Sequence, residues 1–297
     1  MTKPVRIKTL VENTVATPGL LAEHGLSFLV EFGSRQILFD TGAGAVLLAN
    51  ADALGIDLSR IDAIVLSHGH HDHTGGLLDV LQTARRAKAF VHPDGLNPKY
   101  ARLQNGSSRS IGMSPKLKAM LQRKTDLVMY TTEHTEIYPG FFVTGTIPRV
   151  TEFEDTGGAF YLDEKCLCPD LLLDDQALFF NSTQGSVVIL GCAHAGMVNT
   201  LRYIQKRTNG MPIHAVIGGM HLLRASEEGT RRTVEALRAC GIGYLAPAHC
   251  TGLAATATLW KAFPKKCHPC GVGTSITFEV QCGPIREVEP THEHGSL

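Results

Sequence analysis

The chain has 297 residues, 43% hydrophobic and 19% charged, with 30 glycines, a composition that suits a globular protein with many tight turns. Lysine plus arginine equals aspartate plus glutamate at 28 each, so no overall basic field recruits nucleic acid or an anionic membrane. No run of about 18 apolar residues spans a bilayer and no signal-type apolar segment follows Met1–Arg6, which leaves one soluble, cytoplasmic domain over residues 1–297 as the expectation.

Val5–Val11 alternates and then runs apolar, as a first strand does, and Phe28–Phe32 with Gln36–Phe39 form a hairpin about Gly33-Ser34-Arg35. Between them, Val11–Thr14 and Gly19–Ser27 read as loops. The hairpin delivers Asp40 to a strand end, where it reads as the cap of a helix over Ala43–Leu54. Ile61–Leu66 is a further short strand, and Gly75-Gly76 lead into the amphipathic Leu77–Leu81.

Between these two lies Ser67-His68-Gly69-His70-His71-Asp72-His73-Thr74, which packs four imidazoles and a carboxylate into six residues of a strand-to-helix turn. A single histidine in a core is ordinarily hydrogen-bonded packing, and His-rich tracts occur as solvated loops. This tract is internal, follows a buried-type strand and alternates ligand types, so it reads as a site for one or two divalent transition metals.

Residues 82–138 read as an insert: a strand at Ala87–His92, a helix at Pro115–Arg123, a strand at Asp126–Tyr130, and a polar stretch, Asn97–Gly112, of the size that serves as a functional loop or lid. Lys99, Arg102 and Arg109 lie in that stretch, where a solvated charged face is the ordinary reading of each. Phe141–Arg149 ends a strand in a turn. Asp174–Phe180 and Gly185–Leu190 pair as strands and end at Gly191-Cys192-Ala193-His194. Met197–Arg207 is a helix, Met211–Ile217 a strand ending at Gly218-Gly219-Met220-His221, and Ser226–Cys240 a helix stopped by Gly241. Gly243–Ala246 then leads into Pro247-Ala248-His249-Cys250. Eight cysteines are present, at 166, 168, 192, 240, 250, 267, 270 and 282, and a chain of this size folds without disulfides. Cys166/Cys168 with Cys267/Cys270 is weak evidence for a four-thiolate zinc site.

His68-x-His70-x-Asp72-His73 resembles the signature of the metallo-β-lactamase superfamily. Ile37–Gly42 upstream, and Gly191–Gly196 and Pro247–Cys250 downstream, stand in the order that superfamily uses, and the resemblance covers nearly the whole chain. It implies an α/β fold, the four-layer αββα sandwich, with a dinuclear site at one edge. Val11–Thr14, Glu23–Ser27, Ile147–Arg149, Gly191–Gly196, Gly218–Leu222 and His249–Gly252 further resemble the group of the 7,8-dihydropterin-6-methyl-4-(β-D-ribofuranosyl)aminobenzene 5′-phosphate synthase of methanopterin biosynthesis.

By this resemblance His68 and His70 join a later histidine on one ion, with His194 the natural candidate, and Asp72 and His73 join His249 on the other. Asp40 gains a second role, support of a metal-binding histidine. Many superfamily members carry Gly-Asp at a strand end, the Asp bridging both ions. Here the corresponding pair reads Gly191-Cys192, which makes Cys192 an alternative to His194, although a thiol at a strand end is more often a small buried hydrophobe. His221 completes the second metal, contacts substrate or moves a proton, the last two being preferred. Asp72 and His221 are therefore the expected catalytic residues. Arg149 and His221 are the expected substrate contacts, a guanidinium suiting phosphate while Glu152 or Asp155 offers it a salt bridge.

The ligand set does not separate zinc from iron or manganese; two divalent ions, zinc first, are expected. The expected activity is that of a synthase-like transferase on a small anionic substrate, pterin or phosphorylated. The alternatives are a hydrolase of phosphodiester, thioester or lactone, and a non-enzymatic or redox iron-binding protein. No nucleic-acid or membrane partner is expected, and a homo-oligomer is left open.

Overall fold

The computed structural model describes residues 2–124 and 126–281; Cys282 lies outside the described residues. Strand β1 (Thr2–Val11) pairs antiparallel with β2 (Ser27–Phe32), which turns into β3 (Arg35–Phe39). Helix α1 (Leu47–Ala53) leads to β4 (Ala63–Val65), which lies parallel to β3. The one-turn helix α2 (His71–Thr74) and α3 (Leu77–Thr83) lead to β5 (Lys88–Val91). After a small hairpin, β6 (Tyr100–Arg102) and β7 (Ser108–Ser110), helix α4 (Pro115–Arg123) precedes β8 (Val128–Tyr130).

The second half begins with β9 (Thr135–Tyr138) and β10 (Phe141–Val143), and a two-residue strand β11 (Phe160–Tyr161) reaches back to β6. The hairpin β12 (Leu178–Ser182) and β13 (Gly185–Leu190) is followed by α5 (Met197–Arg207), β14 (Ile213–Gly219), α6 (Glu227–Ala239), β15 (Tyr244–Ala248) and α7 (Leu253–Ala262). Last, β16 (Ser275–Gln281) pairs with β1. The sheets run β16-β1-β2-β3-β4-β5-β8 and β15-β14-β13-β12-β10-β9, with β11-β6-β7 as a third, small one.

Strand alternation builds the four layers. Ile37 and Phe39 of β3 meet Val187 and Ile189 of β13 between the sheets, whereas Leu38 faces Leu47, Leu77 and Val80 of the first helical layer. Val188 and Leu190 face Leu201, Leu237 and Leu259 of the second. Both faces of the central strands are covered, so they are apolar throughout, as buried parallel strands are. Each fully buried aliphatic or aromatic side chain contributes about 1.5–3 kcal/mol to this packing. The αββα sandwich expected from the sequence is present, and among the described residues no helix is long and apolar enough to cross a membrane.

Two local readings change. The helix expected over 43–54 starts at Leu47 without a side-chain cap, because the Glu23 carboxylate accepts the Ala43, Gly44 and Ala45 amides and holds that segment as a loop. The polar stretch 97–112 is not irregular: it forms the β6–β7 hairpin, edged by β11.

Candidate active site

β3, β4, β13, β14 and β15 all end at one edge of the sandwich, and the residues that follow them are Asp40, the His68 turn, Cys192, His221 and His249. Ligands in open α/β sheets gather at such carboxyl ends. Asp40, Ala193, His221 and His249 adopt left-handed backbone, with φ of 59°, 57°, 49° and 51°. This conformation is uncommon outside glycine and costs on the order of 1 kcal/mol or more at each residue. Its occurrence just past four strands turns the chain sharply at the edge where the donors collect.

The first donor set lies on the β4 side. His68 Nε2 is 2.9 Å from His70 Nδ1, and His68 Nδ1 is 2.9 Å from Ser67 Oγ. His194 donates from Nδ1 to the Thr156 carbonyl at 2.7 Å, which leaves its Nε2 buried and without a partner. The donor atoms of His68, Cys192 and His194 all lie within 4.8 Å of one another. In the second set, His249 Nε2 is 3.3 Å from both His73 Nε2 and Asp72 Oδ2. Cys192 Sγ is 3.2 Å from His73 Nε2 and groups with His73 and His249 as well. His24 Nε2 reaches Asp72 Oδ2 at 3.2 Å.

These residues fit divalent cations. Orphaned buried nitrogens, His194 Nε2 and His70 Nε2, are rare unless something absent from the protein satisfies them. Burial holds His68 and His194 well below the ordinary imidazole range and brings His70 down to about 3, so these rings are neutral, the form that coordinates metal. For Asp72, burial works upward, but His73 and the hydrogen bonds from His24 and His249 outweigh it and keep the carboxyl ionised.

An outer ring of contacts fixes the donors. Asp40 Oδ2 accepts from His73 Nδ1 at 2.7 Å and from Ser67 Oγ at 2.7 Å, while its Oδ1 accepts the Ser67 amide at 2.7 Å. Asp40 is therefore the support of a histidine and not a helix cap. Asn13 Oδ1 sits 3.0 Å from His249 Nδ1, and Glu12 accepts the His249 amide at 2.7 Å. Such contacts orient a ring and choose its tautomer. Gly191 is required by close approach, since a Cβ there would lie 2.0 Å from Ser67 Oγ.

Above the donors opens a cavity of about 950 Å³, lined among others by His70, Asp72, Cys192, His194, His221 and His249. Its walls carry Phe160, Leu103, Leu223 and Trp260, with Arg102, Arg109 and Arg224. The hairpin closes over one side: the His71 amide donates to the Ile111 carbonyl at 2.7 Å, and His70 bridges to Gly112.

The structure brings His68, His70, Asp72, His73, His194, His221 and His249 to this one place. The His221 ring centroid is 4.3 Å from that of His194, and its Nε2 donates to the Gly157 carbonyl at 3.2 Å. Arg149 is the correction. It does not line the cavity, because its Nη2 donates to the Leu171 carbonyl at 2.7 Å; Glu152 and Asp155 are not its partners either. Lys99 is no surface charge: it is buried, with Nζ 2.8 Å from Asp170 and 2.9 Å from Asp174. His24 was visible only as a loop histidine, and its place beside Asp72 depends on tertiary pairing.

Layered sheets between helices, with imidazole, carboxylate and thiol donors at one edge, define an αββα sandwich with a candidate metal centre. The chain matches the family model of the metallo-beta-lactamase superfamily over residues 21–249 and belongs to that superfamily, whose members are mostly metal-dependent enzymes. It is 34% identical over 254 residues, 85% of this chain and 93% of the relative, to an uncharacterized protein of Methanocaldococcus jannaschii. From the same organism, the 7,8-dihydropterin-6-methyl-4-(beta-D-ribofuranosyl)-aminobenzene-5'-phosphate synthase is 29% identical over 285 residues, 92% of this chain and 97% of that one. The crystal structure of a metal-dependent hydrolase of the beta-lactamase superfamily matches with a TM-score of 0.77 at 30% identity, over 92% of this chain and 98% of that chain.

Proposed function

We propose that the chain is an enzyme with two divalent ions, zinc before iron or manganese, acting on a small anionic substrate, pterin or phosphorylated, in the manner of the synthase it resembles. The observation that carries this reading is the closeness of His68, His70 and His194 on one side and of Asp72, His73 and His249 on the other, next to a cavity that His70, Asp72, His194 and His249 line. Bound there, divalent ions supply polarisation of a substrate oxygen and activation of the attacking group. Asp72 Oδ2, kept ionised, serves both as a ligand and as the oxygen that orients that group. His221, whose Nδ1 is buried and unpartnered, moves a proton at that nitrogen or contacts the substrate. Anion binding passes from Arg149 to Arg109 and Arg224, which line the cavity and have no ion-pair partner among the described residues. Phe160, its ring centroid 5.1 Å from that of His70 and 5.4 Å from that of His194, offers a flat face to a heterocycle.

A hydrolase is the second reading, favoured by the 30% identity to the metal-dependent hydrolase. The two differ in their need for dryness: a displacement must outrun water, and the β6–β7 hairpin is the part that excludes it. The test is turnover by metal-loaded protein with pterin diphosphates and aryl phosphoesters beside neutral thioesters and lactones. The synthase-like reading expects turnover of the anionic compounds, reduced in Arg109→Ala, Arg224→Ala and His221→Ala at normal metal content. Strong turnover of the neutral compounds, undiminished in those variants, selects the hydrolase. Iron binding with no turnover across the panel selects the non-enzymatic reading.

A further inference from the structure

We infer that Cys192 is a thiolate ligand shared by both ions; the inference rests on the two-ion reading above. Its position is the first reason. Cys192 is the one residue grouped with His68 and His194 on one side and with His73 and His249 on the other. Zinc–sulfur bonds are about 2.3 Å and paired ions about 3.5–4 Å apart, so a single sulfur reaches both.

The neighbouring carboxylates supply the second reason, since each is otherwise engaged. Asp40 gives both oxygens to Ser67 and His73. Asp175 turns Oδ2 to the Ala195 amide at 2.8 Å and belongs to none of the converging donor groups. Asp72 groups only with His24 and His249. No carboxylate among the described residues therefore takes the shared position, and the donor that groups with both histidine sets is the Cys192 sulfur. An independent sign that this space holds a ligand is His194 Nε2, buried and unpartnered, beside that sulfur.

Backbone geometry explains how the thiol arrives. Gly191 lets the β13 end press against Ser67 and Asp40, where any side chain would collide, so the next residue enters between the two histidine sets. Cys250, though near, points its Sγ at the Cys192 carbonyl at 3.6 Å. On metal binding the Cys192 proton leaves to solvent and the sulfur bonds to both ions. A soft donor in this place biases the site toward zinc, iron or cobalt and away from manganese or magnesium.

The test is cobalt(II) reconstitution of the full chain after chelation, read by bound cobalt and by near-ultraviolet absorption. The wild type is expected to take up two equivalents with a sulfur-to-cobalt charge-transfer band. Cys250→Ser keeps the band and Cys192→Ser loses it. Cys192→Asp binds two equivalents without the band and takes manganese more readily than the wild type, which also guards against a Cys192→Ser variant that fails to fold. Two equivalents without a band, a band that survives in Cys192→Ser, or only one equivalent bound overturns the shared thiolate while the candidate metal centre stands. No cobalt bound to the wild type overturns the two-ion reading together with it.

Discussion

Asp174 accepts the amide of Gly69, the residue between His68 and His70, at 2.7 Å through Oδ2, and its other oxygen holds Lys99 Nζ at 2.9 Å. A buried cation at the root of the hairpin thus sets the backbone of the turn that presents two donors. Breaking a buried ion pair from one side leaves uncompensated charge and costs about 3–5 kcal/mol. Lys99→Met strands Asp170 and Asp174 and is expected to lower unfolding stability by that order in urea titration, with weakened metal retention. A variant as stable as the wild type removes Lys99 from this role.

Metal content follows from the donor geometry. His70→Ala and Asp72→Ala are each expected to lose bound ion while keeping the wild-type far-ultraviolet dichroism, because the sandwich core is built from the sheets and helices and not from the edge turns. Elemental analysis of the purified variants decides it, and full metal occupancy in both contradicts the assignment.

The remaining thiols are read as packing. Cys270 is buried with Sγ 3.7 Å from Thr9 Oγ1, and neither it nor Cys267 is in the converging donor groups. The double variant Cys267→Ser/Cys270→Ser is expected to keep its metal and to lose on the order of 1–3 kcal/mol for a buried hydroxyl that lacks the thiol's packing. Loss of one ion equivalent together with a collapse of thermal stability instead points to a four-thiolate site.

Stability should also depend on pH through Asp175. Burial lifts this carboxyl from its ordinary 3.8 to about 7, against the Ala195 and His194 amides that pull it down. Between those pH values the folded chain holds a proton that the unfolded chain has released, so the contribution is complete at low pH and is lost as pH rises through about 7. The slope from this one group is at most about 1.4 kcal/mol per pH unit. Urea unfolding of metal-free Asp175→Asn across the window is expected to show a shallower decline than the wild type; equal slopes contradict it.

How much of this was legible in the sequence depends on separation along the chain. The His68–His73 tract and the strand-end placement of His194, His221 and His249 show in local pattern alone, because period-two apolar runs stop where the polar turn begins. Helix 197–207 was likewise readable from its apolar spacing, and the helix after Ser226 from its capping start. Lys99 with Asp174, 75 residues apart, and Glu23 with the Ala43–Ala45 amides were not, since nothing local distinguishes a buried charge from a solvated one. Arg149 failed for the same reason in reverse: a strand-end position says which edge a residue leaves, and only the fold shows that a carbonyl across the loop captures its guanidinium.

The bond from the His71 amide to Ile111 joins the hairpin that roofs the cavity to the turn on its floor. A molecule that pulls the roof inward therefore does mechanical work on the floor. Coupled binding is reciprocal, so on the two-ion reading proposed above, ions that stiffen the floor would alter the affinity for a molecule touching only the roof, and that molecule would alter ion affinity by the same factor.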